Sequence, residues 1–261
     1  MNNQLKAACI LALGVAAAGS AWPAIKHGLA DATPVWYAVG RAVISTGTGF
    51  AVLGALGRLR RPTRADLPIV LSVGALQLCL FFTLVNLGLA LLPAGRSVIL
   101  AYTTTLFVVP LAGPVLGEWP RARQLLGVAL GVAGVALLLS PAFGQIAGGG
   151  MGAGTSAFAG YVYLLGAALC WALAILHSRL HRWHLSPLQV MPWQMLFAAV
   201  LLVPLALLLE PQGYIRPTTR ALLPLAYLGL LAGPIITWSS TSVARLIPAV
   251  AVSLGYLLTP V

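Results

Sequence analysis

Apolar residues run along this chain in nine blocks, each close to the ~20 residues that a helix needs to cross the hydrocarbon core of a bilayer. The blocks lie near 5–25, 34–56, 67–91, 93–117, 121–140, 159–180, 187–209, 221–243 and from 247 onward. Most gaps are short, so successive helices are expected to stand antiparallel and side by side. The exception is the uncharged run from Ser140 to Ser156, with Gly148, Gly149, Gly150, Gly152 and Gly154, whose composition is that of a flexible linker. It divides the chain into a first half of five spans (1–140), a linker (141–158) and a second half of about four spans (159–261).

Composition sharpens this reading. Hydrophobic residues make up 60% of the chain, charged residues 7%, and mean hydropathy is +0.96. A soluble domain carries about 25% charged residues. The expected fold is an all-α polytopic membrane protein. A net charge of +11 would suggest nucleic acid in a soluble protein. Here the basic residues sit singly or in pairs between apolar blocks. The densest group, Arg58, Arg60, Arg61 and Arg64, directly follows one of them. It reads as a topology anchor against anionic membrane lipid rather than a nucleic-acid site.

Charge also orients the chain. One set of gaps holds Lys6, Arg58 to Arg64, Arg121, Arg123, Arg179, Arg182 and Arg245, and the alternate set holds Lys26, Arg96, Arg216 and Arg220. The first set is richer, so the amino terminus is expected on the cytoplasmic side and the linker outside. The two halves then start on opposite sides, as inverted repeats do in many secondary transporters.

Sequence matches between the halves agree. Ala21-Trp22 corresponds to Cys170-Trp171. Pro34 and Arg41 correspond to Pro187 and Gln194 at the same spacing. Leu92-Pro93-Ala94 corresponds to Ile247-Pro248-Ala249, with Asn86 and Thr241 each seven residues before the proline. The first half runs on past its matching point through Glu118 and a fifth helix, whereas the second reaches Val261 inside its fourth. A tenth span, within about 30 further residues, is therefore expected by analogy with the first repeat.

Trp22, Lys26, Pro34 and Arg41 resemble the first-repeat signature of EamA-type members of the drug/metabolite transporter superfamily. The stretch from Phe82 through Asn86, Pro93-Ala94-Gly95 and Tyr102 to Leu116-Gly117-Glu118 is similar to the family's third and fourth helices. Trp238-Ser239-Ser240-Thr241 and Arg245-Leu246-Ile247-Pro248-Ala249 are similar to its second repeat. The resemblance implies a ten-helix inverted-repeat carrier in the cytoplasmic (inner) membrane, moving small organic metabolites, often amino acids, mostly outward. Two departures stand out: Pro23 where many relatives have Gly, and Tyr102-Thr103-Thr104-Thr105 where a proline is common.

Polar groups inside spans are costly and tend to mark function. Arg41 stands well inside the second span, and two readings are open. It binds a substrate carboxylate bidentately, or it snorkels or bonds backbone carbonyls within the bundle. Gln77, Asn86, Tyr102, Thr104, Gln194, Trp238 and Thr241 could line a hydrated cavity for a small-molecule substrate. The competing reading for the hydroxyls is self-capping of their own helices or glue between helices. Trp22 and Trp171 could face the cavity from matching places, or belong to interfacial belts. Lys26 reads as an interface residue. Pro23, Pro110, Pro114, Pro192, Pro204 and Pro234 fall within spans and can kink them.

Other chemistries lack their residues. Asp31, Asp66, Glu118 and Glu210 are the only acids, all near span ends, and His27, His177, His181 and His184 lie near ends or in loops. Cys9, Cys79 and Cys170 fall in apolar runs without disulfide or metal spacing. There is no phosphate loop and no metal or cofactor motif. Exchange or facilitated transport without obligatory proton coupling is expected, ahead of a membrane enzyme acting on lipid or isoprenoid or a non-transporting scaffold.

Overall fold

A computed structural model describes residues 3–147, 151–181, 183–244 and 246 of the chain. Among these residues the regular elements are all helices, and the one isolated bridge joins Ala32 to Ile215, each in a loop between helices. Eight helices are long and apolar enough to span a membrane: α1 (Ala7–Gly28), α2 (Pro34–Ala55), α3 (Leu67–Leu91), α4 (Ala94–Leu116), α5 (Ala122–Ser140), α6 (Thr155–Leu180), α7 (Pro187–Leu209) and α8 (Thr219–Ser240). Each overlaps one of the first eight apolar blocks. The ninth, from 247 onward, lies outside the described residues.

The flanks of the Gly-rich stretch are helical: helices run over Ala122–Ala147 and Met151–Leu180, and Gly148, Gly149 and Gly150 lie outside the described residues. An interior glycine costs a helix about 1 kcal/mol relative to alanine. Leaving backbone groups unpaired in an apolar setting costs several, and Ala142, Phe143, Ile146, Ala147 and Ala153 favour the helix.

The two halves interlock. α2 lies along α7, its counterpart in the other half, and the first helix of each half packs on the third helix of the other, α1 on α8 and α6 on α3. α5 stays at the edge against α4 and α6, presenting Leu125, Leu126, Leu130 and Leu137 outward. Such a surface suits lipid.

Both third helices contain a π-helical segment, Val73–Leu80 in α3 and Leu228–Ala232 in α8. Val73 and Leu228 each stand 20 residues before the matched prolines Pro93 and Pro248, so the two distortions are repeat equivalents. The glycine that follows each start lets the opposing helix come close. A Cβ on Gly74 would sit 3.0 Å from the Gln194 carbonyl oxygen, and one on Gly229 would sit 2.5 Å from Ile44 Cγ2 and 3.5 Å from the Arg41 carbonyl oxygen. Arg41 and Gln194 are themselves the matched pair. Pro234 has no N–H to donate back into the second segment, and Ser45 of α2 supplies a donor, Oγ to Gly229 O at 2.9 Å.

α4 breaks at Tyr102 and Thr103, where a proline is absent. The Thr103 and Thr104 hydroxyls donate to Leu100 O and Ala101 O at 2.6 and 3.1 Å. Side-chain bonds of this kind compete with the ladder and bend helices. A threonine run here does the work of a proline.

Candidate functional site

Five of the ten candidate residues meet at one place. Trp22 of α1, Arg41 of α2, Asn86 of α3, Tyr102 of α4 and Trp171 of α6 line a cavity between the two halves, closed on one side by Ile236 of α8. All five are buried. The break in α4 falls at the residue that enters the cavity, and Trp22 and Trp171 arrive from the matched first helices. They are core residues, not belt residues.

The cavity wall is a run of aromatic rings. Trp22 Nε1 donates to the Tyr102 hydroxyl at 3.3 Å, with ring centroids 5.8 Å apart. Tyr102 and Trp171 follow at 5.7 Å, Trp171 and Phe81 edge-on at 4.6 Å, and Phe81 and Phe82 at 6.2 Å. At the end of this run the Arg41 guanidinium carbon lies 3.9 Å from the centre of the Phe82 ring. Arg41 is 6% exposed, and its Nε has no hydrogen-bond partner among the described residues. Asn86 is tied down by one amide bond, Nδ2 to Pro34 O at 2.9 Å. Neither Phe81 nor Phe82 is among the ten candidates, although Phe82 opens the family-like stretch. The signal was present, since Phe82 and Asn86 are four residues apart and share a helix face.

The other candidates go elsewhere. Gln77 bridges α3 to α8, Nε2 to Ser240 Oγ at 3.0 Å. The Thr104 hydroxyl donates within its own helix, to Ala101 O at 3.1 Å. Gln194 is fully buried between α7 and α3, with Nε2 3.5 Å from Ile69 O and Oε1 unpartnered among the described residues. Trp238 lines a separate shallow pocket with Met191 and Leu53. Thr241 is a helical position in the continuation of α8. Lys26 acts structurally, donating to Leu89 O and Leu92 O at 2.5 and 3.1 Å at the end of α3.

The cavity is small, about 30 Å³, room for about two water molecules. Sites for small organic molecules usually exceed ~300 Å³. As it stands, the cavity has no room for an organic molecule. Two larger spaces lie apart from it. A groove of about 550 Å³ lies between α4 and α5, with Arg123 among its lining residues. A space of about 640 Å³ is lined by Lys26, His27 and Arg220.

Two carboxylates fasten the halves at opposite ends of the α2/α7 pair. Glu210, at the carboxyl end of α7, accepts from the Val35 and Trp36 amides that open α2, at 3.0 and 3.2 Å, while Trp36 Nε1 donates to Glu210 O. Asp66, just before α3, accepts from the His184 and Leu185 amides ahead of α7, at 2.9 and 3.2 Å, and from Thr63. Burial pushes the Asp66 carboxyl up, but the hydrogen bonds from Thr63, His184 and Leu185 outweigh it and hold its pKa below the usual value. The remaining acids are also engaged, Asp31 with the Thr218 hydroxyl at 2.8 Å and Glu118 with Arg179 at 2.6 Å.

The profile of the EamA-like transporter family matches residues 5–140 and 158–261. The chain belongs to that family. This EamA-like protein is 30% identical over 258 residues to a protein of Streptantibioticus cattleyicolor named a probable terminal-alkyne amino-acid exporter, covering 98% of this chain and 82% of the relative. It is 30% identical to the uncharacterized transporter YvbV of Bacillus subtilis over 67% of this chain and 54% of the relative. With YoaV of the same organism the figures are 23%, 82% and 71%. A solved crystal structure shares the fold, with a TM-score of 0.60 at 18% identity over 98% of this chain and 95% of that one. The protein is thus a multi-pass membrane transporter of small molecules built as an inverted repeat.

Proposed function

We propose that this EamA-like transporter carries amino acids or related small metabolites outward across the cytoplasmic (inner) membrane, with its amino terminus cytoplasmic. Transport proceeds by alternating access around the cavity between repeats 1–140 and 159–261. The observation that carries this reading is the buried Arg41 guanidinium facing a closed aromatic cavity at the junction of the halves. A guanidinium offers a carboxylate two parallel hydrogen bonds, and the rings offer an apolar side chain its surface. The relative named as an amino-acid exporter supports the substrate class and the direction.

The Glu210 and Asp66 clasps supply the gates. Each holds the amino-terminal end of one central helix to the other half, and release of one at a time would open the cavity to one side. With all four carboxylates engaged at helix ends, coupling by substrate exchange rather than an obligatory proton is the accompanying proposal.

The test is counterflow in proteoliposomes holding the full-length protein, preloaded with an amino-acid mixture and challenged with labelled members. Saturable accumulation of one or more labelled amino acids is expected. Equal flux in protein-free vesicles would refute the reading.

A further inference from the structure

We propose that the cavity recognises its substrates by their carboxylate end alone, so that it carries apolar-tailed carboxylates whether or not they bear an α-ammonium group. This deepens the amino-acid transport reading and rests on it.

Among the described residues, Arg41 is the only charged one in the cavity wall. It is held over Phe82 with its Nε unpartnered and no carboxylate beside it. A buried cation without an anion is a costly arrangement, and a substrate carboxylate completes it.

The opposite charge is spoken for. The chain has four acids, and each is engaged at a helix end: Asp31 on Thr218, Asp66 on the amides before α7, Glu118 on Arg179 and Glu210 on the amides that open α2. None lines the cavity. An α-ammonium group entering it finds ring faces, the Tyr102 hydroxyl and the Asn86 amide, but no countercharge.

The end of α1 beyond the cavity carries the same sign. Ile25 lines the cavity, and the next residue, Lys26, lines a separate space of about 640 Å³ together with His27 and Arg220. Two fixed cations there raise the local concentration of anions and repel free amines at that end of the bundle. Asp31, which follows the lining residue Ala30, points its Oδ2 at Thr218.

The experiment uses the amino acid with the largest counterflow, its N-acetyl derivative and its amide, as competitors against the labelled amino acid. The N-acetyl compound keeps the carboxylate and loses the ammonium, and the amide does the reverse. The expected result is that the N-acetyl compound competes about as well as the parent, while the amide is weaker by about tenfold or more, the scale of one charge-assisted hydrogen bond. Exchange of the N-acetyl anion for the zwitterion moves one net charge and should respond to an imposed membrane potential, and exchange of zwitterion for zwitterion should not. Arg220→Gln should raise the half-saturating concentration of the N-acetyl anion at low salt and lose this effect at high salt. Competition by the amide with none by the N-acetyl compound would overturn the proposal while leaving the carrier reading intact. Absence of counterflow for every amino acid would overturn both.

Discussion

The Glu210 carboxylate straddles the Val35 amide, with its two oxygens 3.2 and 3.0 Å from that nitrogen. Val35 opens the helix that carries Arg41, so the start of that helix is capped by an acid from the other repeat. An anion there meets unpaired N–H groups and the positive end of the helix dipole. Its counterpart Asp66 does the same for the segment that leads into α7. The cavity is thus closed between two like clasps.

Glu210→Gln should weaken the clasp at the start of α2, because the amide keeps one acceptor oxygen and loses the charge. Losing a cap costs about 1 kcal/mol. We expect a lower thermal midpoint in detergent and greater labelling of a cysteine placed at Trp22 by a reagent added from that side. An unchanged midpoint and unchanged labelling would count against a gating role.

Asp66 yields a pH prediction. Its folded pKa lies below the unfolded value of ~3.9. The clasp's contribution is therefore fully present above that unfolded value and is lost as pH falls through the lower folded one. The difference in thermal midpoint between wild type and Asp66→Asn should stay constant from about pH 8 to 5. A gap that closes between pH 7 and 5 would contradict this assignment.

Gly229→Ala should destabilise the protein by about 1–3 kcal/mol, the usual penalty for overpacking. The added carbon would meet Ile44 at 2.5 and 2.6 Å, and a β-branched side chain has little room to turn. Gly74→Ala should act in the same direction through the Gln194 carbonyl oxygen. Gly54→Ala, where nothing stands within 4 Å, is the control. Thermal unfolding of the three variants decides the matter, and equal midpoints would show that the close approaches are not needed.

Exchange without a proton requirement predicts that collapsing the proton gradient, with substrate gradients held equal, leaves amino-acid flux unchanged. Flux that vanishes with the gradient would contradict the account of the four engaged carboxylates.

Much of the fold was legible because a bilayer demands long apolar runs, and eight of them became α1 to α8 at nearly the expected bounds. Matched prolines and tryptophans revealed the repeat. Composition marked the Gly-rich stretch as unpaired chain and did not register the helices that reach into it from both sides, Ala122–Ala147 and Met151–Leu180. In the cavity, Arg41 and Asn86 were legible as polar groups inside spans, and Trp22 and Trp171 as a pair. Gln194 looked like the partner of Arg41, yet its amide lies against α3 at the Gly74 approach. Repeat symmetry placed the residue without giving its role. The clasps were not legible, since Asp66 and His184 are 118 residues apart and Glu210 and Val35 are 175 apart. Only the crossing of the halves brings them together.

The central claim is that Arg41 binds the transported molecule. Counterflow of the best amino-acid substrate should be measured for wild type, Arg41→Lys and Arg41→Gln at matched protein levels and thermal midpoints. The account predicts that Gln abolishes saturable flux and that Lys retains a fraction with a raised half-saturating concentration, since a point charge cannot reproduce the planar fork. Wild-type flux in the Gln variant would contradict it and return Arg41 to a structural place in the bundle.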